Sequence, residues 1–179
     1  MRLWIIRHAK SDWSSPGQAD HDRPLNARGE RDGPHMAHWL AAQPSPATWI
    51  WTSSAARARR TAAFVAQGFA AASPTLIETR ALYLAAPEDI IDVLQGTPAD
   101  VSSAAVIAHN PGLTDLVNLL AGTPVIENLP TFGVAAFDFD LPWHALRSDT
   151  ARALSPGTAR LVSLMTPKRL PSTLRGSLE

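Results

Sequence analysis

The first thirteen residues, MRLWIIRHAKSDW (1–13), set an apolar run directly against a cluster of cations. Leu3, Trp4, Ile5 and Ile6 contain no Gly or Pro and predict a buried strand over about 2–6. Arg7, His8 and Lys10 follow where the run stops. Outward from this strand, a Pro/Gly/Ser-rich loop runs from 7 to about 25, and loops of that length in compact domains are often functional.

Beyond the loop, strands and helices alternate. Asn26 is read as the cap of a helix to about Gln43, with Met36, Trp39 and Leu40 facing inward and Pro34 kinking it or delaying its start. TWIWT (48–52) reads as a second strand. Ser53 or Ser54 caps a helix through about Ala70, with Phe64 and Val65 inward. A short strand near 75–78 precedes a helix from Pro87 to Gln95. AAVIA (104–108) is a third buried strand. Asn110 caps the next helix, Pro111 takes its first turn, and Gly122 lies just past its end. GVAAFDFD (133–140) alternates as a strand, ARLVSLM (159–165) reads as the last one, and the tail after about 167 reads as loose. This alternation predicts one α/β domain over 1–179, a three-layer sandwich around a mostly parallel central sheet.

In such sheets ligands bind beyond the carboxyl ends of the strands. The first strand end delivers Arg7 and His8, the second Ser53, Ser54 and then Arg57, the third His109 and Asn110. Parallel strands would bring these groups to one edge. Two guanidiniums and two imidazoles describe an anion pocket: arginine grips phosphate oxygens through its planar fork of donors, and a neutral imidazole nitrogen is a nucleophile. Helix starts after Ser54 and Asn110 would add backbone N–H donors.

The motifs RHAKSDW (7–13), SSAARARRTA (53–62) and IAHNPG (107–112) resemble the histidine phosphatase superfamily, in its SixA-type branch of protein phosphohistidine phosphatases. DHDRPLNARG (20–29), RALYLAAPEDI (80–90) and TARLVSLMTP (158–167) are similar to the same branch. The resemblance spans about residues 2–167. It implies a phosphoglycerate mutase-like fold, His8 as nucleophile, and Arg7, Arg57 and His109 as the phosphoryl clamp, with Ser14, Arg23 and Asn110 as further substrate-binding residues. It also implies a phosphohistidine enzyme intermediate hydrolysed by water. The expected substrate is phosphohistidine on a protein. The alternatives are a phosphatase or mutase of a small phosphorylated metabolite, or a phosphate-binding module without turnover. The chain departs from the family pattern at Arg60 (usually Gln), Ser54 (commonly Pro) and Leu84 (often Glu). Arg60 stays open between substrate rim and surface. No general acid is placed; Glu78, Glu88 and Asp89 are the nearby options. An imidazole leaving group protonates near its ordinary pKa of about 6.5 and needs such an acid less than an alkoxide does.

Composition narrows the field. Lys and Arg number 16, as do Asp and Glu, so a formal net charge of zero advertises neither a nucleic-acid nor a membrane surface. With no cysteine, a disulfide framework, a thiolate nucleophile and a Cys-ligated metal are excluded. His35 and His38 are one helical turn apart without a third ligand, so neither a metal nor an organic cofactor is expected. No signal peptide is visible and no apolar run reaches membrane length. The expectation is a cytoplasmic protein, monomeric or weakly associated.

Overall fold

The computed structural model describes residues 1–146 and 159–175. Six strands form one sheet: β1 (Arg2–Arg7), β2 (Trp49–Ser53), β3 (Thr75–Thr79), β4 (Ser103–Ala108), β5 (Val134–Phe139) and β6 (Ala159–Met165). Their spatial order is β3-β2-β4-β1-β5-β6. The first four strands are parallel, while β5 pairs antiparallel with both β1 and β6. The helices are α1 (Ala27–Ala41), α2 (Ala56–Gly68), α3 (Pro87–Gln95), α4 (Gly112–Ala121) and a short α5 (Ser172–Arg175).

Alternation along β1 explains its continuous apolar run. Leu3 and Ile5 enter a core with Ile90, Leu113 and Leu116 from α3 and α4. Trp4 and Ile6 enter the opposite core with Met36, Leu40, Phe64 and Val65 from α1 and α2. Both faces of the sheet are covered, so both side-chain sets must be apolar. Each fully buried side chain of this size contributes about 1.5–3 kcal/mol. This is the three-layer sandwich expected.

Local structure departs from the sequence reading at four places. The side chain of Asn26 caps α1, accepting from the Gly29 N–H at 3.0 Å, but the helix runs through Pro34 without a break. Helix α2 begins after Ala55 with no side-chain cap of its own; the Ser53 hydroxyl accepts weakly from the Ala55 N–H at 3.3 Å. Pro111, not Asn110, is the N-cap of α4. The tail turns at Pro167–Arg169 and forms α5, with Leu170 only 2% exposed against the α1–α2 core. There the His35 Nδ1–H donates to the Leu174 carbonyl at 2.7 Å.

Candidate active site

Register places the two histidines side by side. Arg7 of β1 is paired with Ala108 of β4. His8 and His109 are the first residues beyond each strand, and their ring centroids lie 5.0 Å apart. On the other side of β4, Thr52 pairs with Ile107, which brings Ser53 level with the end of β4. Its hydroxyl then meets His109 Nε2 at 2.8 Å. In the first turn of α2, Arg57 is 3% exposed. Its Nη2 faces His109 Nδ1 at 3.4 Å. Arg7, His8, Arg57 and His109 line one cleft of about 310 Å³, together with Lys10, Ser11, Trp13, Asp20, Arg23, Leu84, Asn110 and Thr131.

The hydrogen bonds set the tautomers. His8 Nδ1 sits 2.7 Å from the Ala9 carbonyl, which can only accept, so Nδ1 carries the proton and Nε2 keeps its lone pair. Arg57 can only donate, so His109 Nδ1 accepts and Nε2–H donates to Ser53. Both rings are held neutral. Burial is the main cause for His8, whose pKa falls from 6.5 to about 4; the Ala9 carbonyl opposes the fall, and Arg57 and Arg7 deepen it. His109 falls from 6.5 to about 3 through burial, then through His8 and Arg57.

Arg7 is anchored by Nη1 donating to the Leu129 carbonyl at 2.7 Å and to Asn128 Oδ1 at 3.0 Å. Burial lowers its pKa from the ordinary guanidinium value. The Nδ2–H of Asn110 donates to the same two acceptors, at 3.0 Å and 2.6 Å, and its side chain does not cap α4. Arg23 pairs with Asp20 at 3.2 Å and stacks 3.1 Å from the Trp13 ring centroid. The Nε–H groups of Arg7 and Arg23 are buried without a hydrogen-bond partner among the described residues. An oxyanion would satisfy such donors. Ser14 does not line the cleft: its N–H and hydroxyl are both held by the Asp12 carboxylate at 2.9 Å.

Several residues of the site were not picked out from sequence. Asp20 accepts from Arg57 Nη2 at 2.8 Å and from the Tyr83 hydroxyl at 2.7 Å, and its backbone carbonyl takes Arg57 Nη1. Burial opposes its ionisation, but Tyr83 and Arg57 outweigh that and hold the carboxyl below its ordinary value. Tyr83 stands edge-on to His109 with centroids 5.5 Å apart. The Thr61 hydroxyl accepts from the Ala9 N–H at 2.9 Å and donates to the Arg57 carbonyl at 2.7 Å, tying the first motif to α2. His21 bonds the Ser54 hydroxyl at 2.8 Å. Asp20, His21 and Tyr83 lie in the segments 20–29 and 80–90, whose resemblance to the SixA-type branch is the sequence signal for this region. Gly29 is required here: a Cβ there would strike the Lys10 carbonyl oxygen, so glycine lets the motif loop lie against α1.

Arg60 falls outside the cleft. It forms a two-nitrogen ion pair with Glu30, the shortest contact 2.7 Å, and lies over the Phe64 ring. Glu78, Glu88 and Asp89 are exposed and none lines the cleft. Asp89 instead accepts from the Ala86 N–H at the start of α3. Asp20 is the one carboxylate among the cleft residues. Among the described residues no group of three or more His, Asp or Glu could hold a metal ion, and no helix is long and apolar enough to cross a membrane.

Comparison with known proteins bears on the family and the fold. The sequence pattern of the histidine phosphatase superfamily (branch 1) matches residues 3–81. An uncharacterized protein of Mycobacterium tuberculosis is 32% identical over 172 residues, covering 91% of this chain and 100% of that protein. A chloroplastic protein of Arabidopsis thaliana is 30% identical, covering 93% and 78%. Among solved structures, the protein histidine phosphatase SixA complexed with tungstate superposes with a TM-score of 0.71 at 23% identity, covering 96% of this chain and all of that one. A mycobacterial glucosyl-3-phosphoglycerate phosphatase superposes at 0.61 with 14% identity, covering 90% and 96%. The sandwich is therefore the phosphoglycerate mutase-like fold.

Proposed function

Because this chain belongs to the histidine phosphatase superfamily, we propose that it is a phosphatase that passes the phosphoryl group through His8. The observation that carries this reading is the unprotonated Nε2 of His8 in a cleft with Arg7, Arg57 and His109. Nε2 attacks phosphorus, the bond from phosphorus to the leaving group breaks, and phospho-His8 forms. Water then attacks the same phosphorus, inorganic phosphate departs, and the pair on Nε2 is restored. Arg7 and Arg57 stabilise the charge on the equatorial oxygens. A bound dianion favours protonation of His109, which can then donate to the phosphoryl group from Nδ1. The guanidiniums supply the positive charge, and the reading expects activity to persist in EDTA.

The substrate we favour is phosphohistidine on a protein. Asp20, the cleft's one carboxylate, sits ionised between arginines and is poorly suited to protonate an alkoxide. An imidazole leaves without that help. The SixA neighbour binds tungstate, an oxyanion shaped like phosphate. The mycobacterial neighbour acts on a sugar phosphoglycerate, so the fold by itself does not choose between substrates. A small phosphorylated metabolite is the second reading. Release of inorganic phosphate from a phosphohistidine protein, an aryl phosphate and a sugar phosphate, by wild type and His8→Ala, tests the proposal. Turnover lost in His8→Ala supports it; equal turnover in the variant overturns it.

A further inference from the structure

Only two of the twelve residues lining the cleft are apolar, Trp13 and Leu84. Both are unusually exposed, at 72% and 58%, and they are two of the four large exposed apolar side chains among the described residues. Neither exposure is explained by packing. One face of the Trp13 ring is covered by the Arg23 guanidinium, 3.1 Å from the centroid. That contact fixes the ring, and its high exposure leaves the other face open. Leu84 is stranger still. Its φ is +53°, a conformation that a leucine adopts at a cost, and more than half of its surface stays exposed. Strain of this kind, kept at a site, points to a role for the side chain it presents.

We propose that Trp13 and Leu84 form a leaving-group subsite that takes a planar aromatic ring. The inference rests on the phosphatase reading and specifies the substrate side of the same cleft. Arg23 lies against Trp13; the phosphoryl end of the cleft is set by His8 with the Arg7 and Arg57 guanidiniums acting on it. The leaving group must lie away from those charges, opposite His8 in an in-line attack. An indole face and a leucine suit an imidazole or phenyl ring and give a polyhydroxylated sugar no hydrogen-bond partners. The ionised state of Asp20 is compatible with this, because an imidazole departs without a carboxylic acid. An imidazole ring meets both features, the wall chemistry and the absence of a proton donor.

The test uses three activated or aromatic substrates: a phosphohistidine peptide, an aryl phosphate, and acetyl phosphate, whose leaving group is good but not aromatic. Trp13→Ala and Leu84→Gly remove the walls. Glycine adopts the Leu84 backbone conformation freely, so that variant folds, and thermal unfolding checks both. The ratio of kcat/KM for either aromatic substrate to that for acetyl phosphate should fall about tenfold in each variant, the scale of one aromatic contact. Trp13→Phe should restore most of it. An unchanged ratio, in variants that fold, overturns the subsite while leaving the phosphatase intact. A wild type that cleaves none of the three, or a His8→Ala variant as active as wild type, overturns the phosphatase reading and the subsite with it.

Discussion

The Nδ1–H of His8 donates to the carbonyl oxygen of Ala9, its immediate neighbour, at 2.7 Å. This short loop leaves Nε2 as the basic nitrogen without any carboxylate behind the ring. With the pKa of His8 lowered to about 4 by burial, the ring stays neutral well below its ordinary 6.5. The acid limb of kcat/KM, corrected for ionisation of the substrate, should therefore lie near about pH 4, because that limb reports the free enzyme. A limb at the ordinary imidazole value would contradict the assignment.

The same burial makes stability depend on pH. In the unfolded chain both imidazoles bind protons as pH falls through 6.5, whereas in the fold His8 and His109 resist until about 4 and about 3. The unfolded state then binds more protons, so stability falls as pH drops from 6.5 towards 4. Urea midpoints across this window should decline for wild type and decline less for His8→Gln and His109→Gln. Inorganic phosphate should recover part of the loss by stabilising the charged rings. Identical slopes in wild type and variants would reject the burial argument.

Asp20 is a positioning residue in this account, because it orients Arg57 through both its carboxylate and its carbonyl. It also places a negative charge beside an anion pocket. Asp20→Asn should lower kcat about tenfold, roughly the worth of one charged hydrogen bond. It should not raise, and can lower, the inhibition constant of inorganic phosphate. A variant with unchanged kcat would remove Asp20 from the mechanism.

Thr61 joins the motif loop to α2 through a buried hydroxyl. Thr61→Val keeps the shape and leaves the Ala9 N–H unpaired, which should cost about 1–3 kcal/mol. Equilibrium urea unfolding measures it; a loss below about 0.5 kcal/mol, the range of inert surface changes, would contradict it.

Much of the site could be read from sequence because strand ends carry it. Arg7, His8 and His109 needed only the parallel pairing of β1 with β4, and apolar runs without Gly or Pro predicted those strands. Trp13 lies in the motif loop next to Arg7 and His8, where a place on the pocket wall could be read beside local packing, whereas Asp20 and Tyr83 come from turns whose path over the cleft no periodicity describes. Asn110 and Ser53 have the chemistry of helix caps, and sequence could not reveal that Asn110 donates to the Leu129 carbonyl or that Ser53 meets His109. Arg60 stayed open for the same reason: its partner Glu30 lies on another helix, thirty positions away. The tail looked loose by composition, yet Leu170 finds a place in the core that local sequence does not announce.

The most direct measurement is rapid quenching of wild-type protein mixed with a phosphoryl-labelled aryl phosphate, followed by mapping of the labelled residue. The account predicts an acid-labile, base-stable phosphoenzyme, formed before steady-state phosphate release, with its label on His8 and absent from His8→Ala. Turnover at full rate with no label on His8, or with an equal label in His8→Ala, would contradict it.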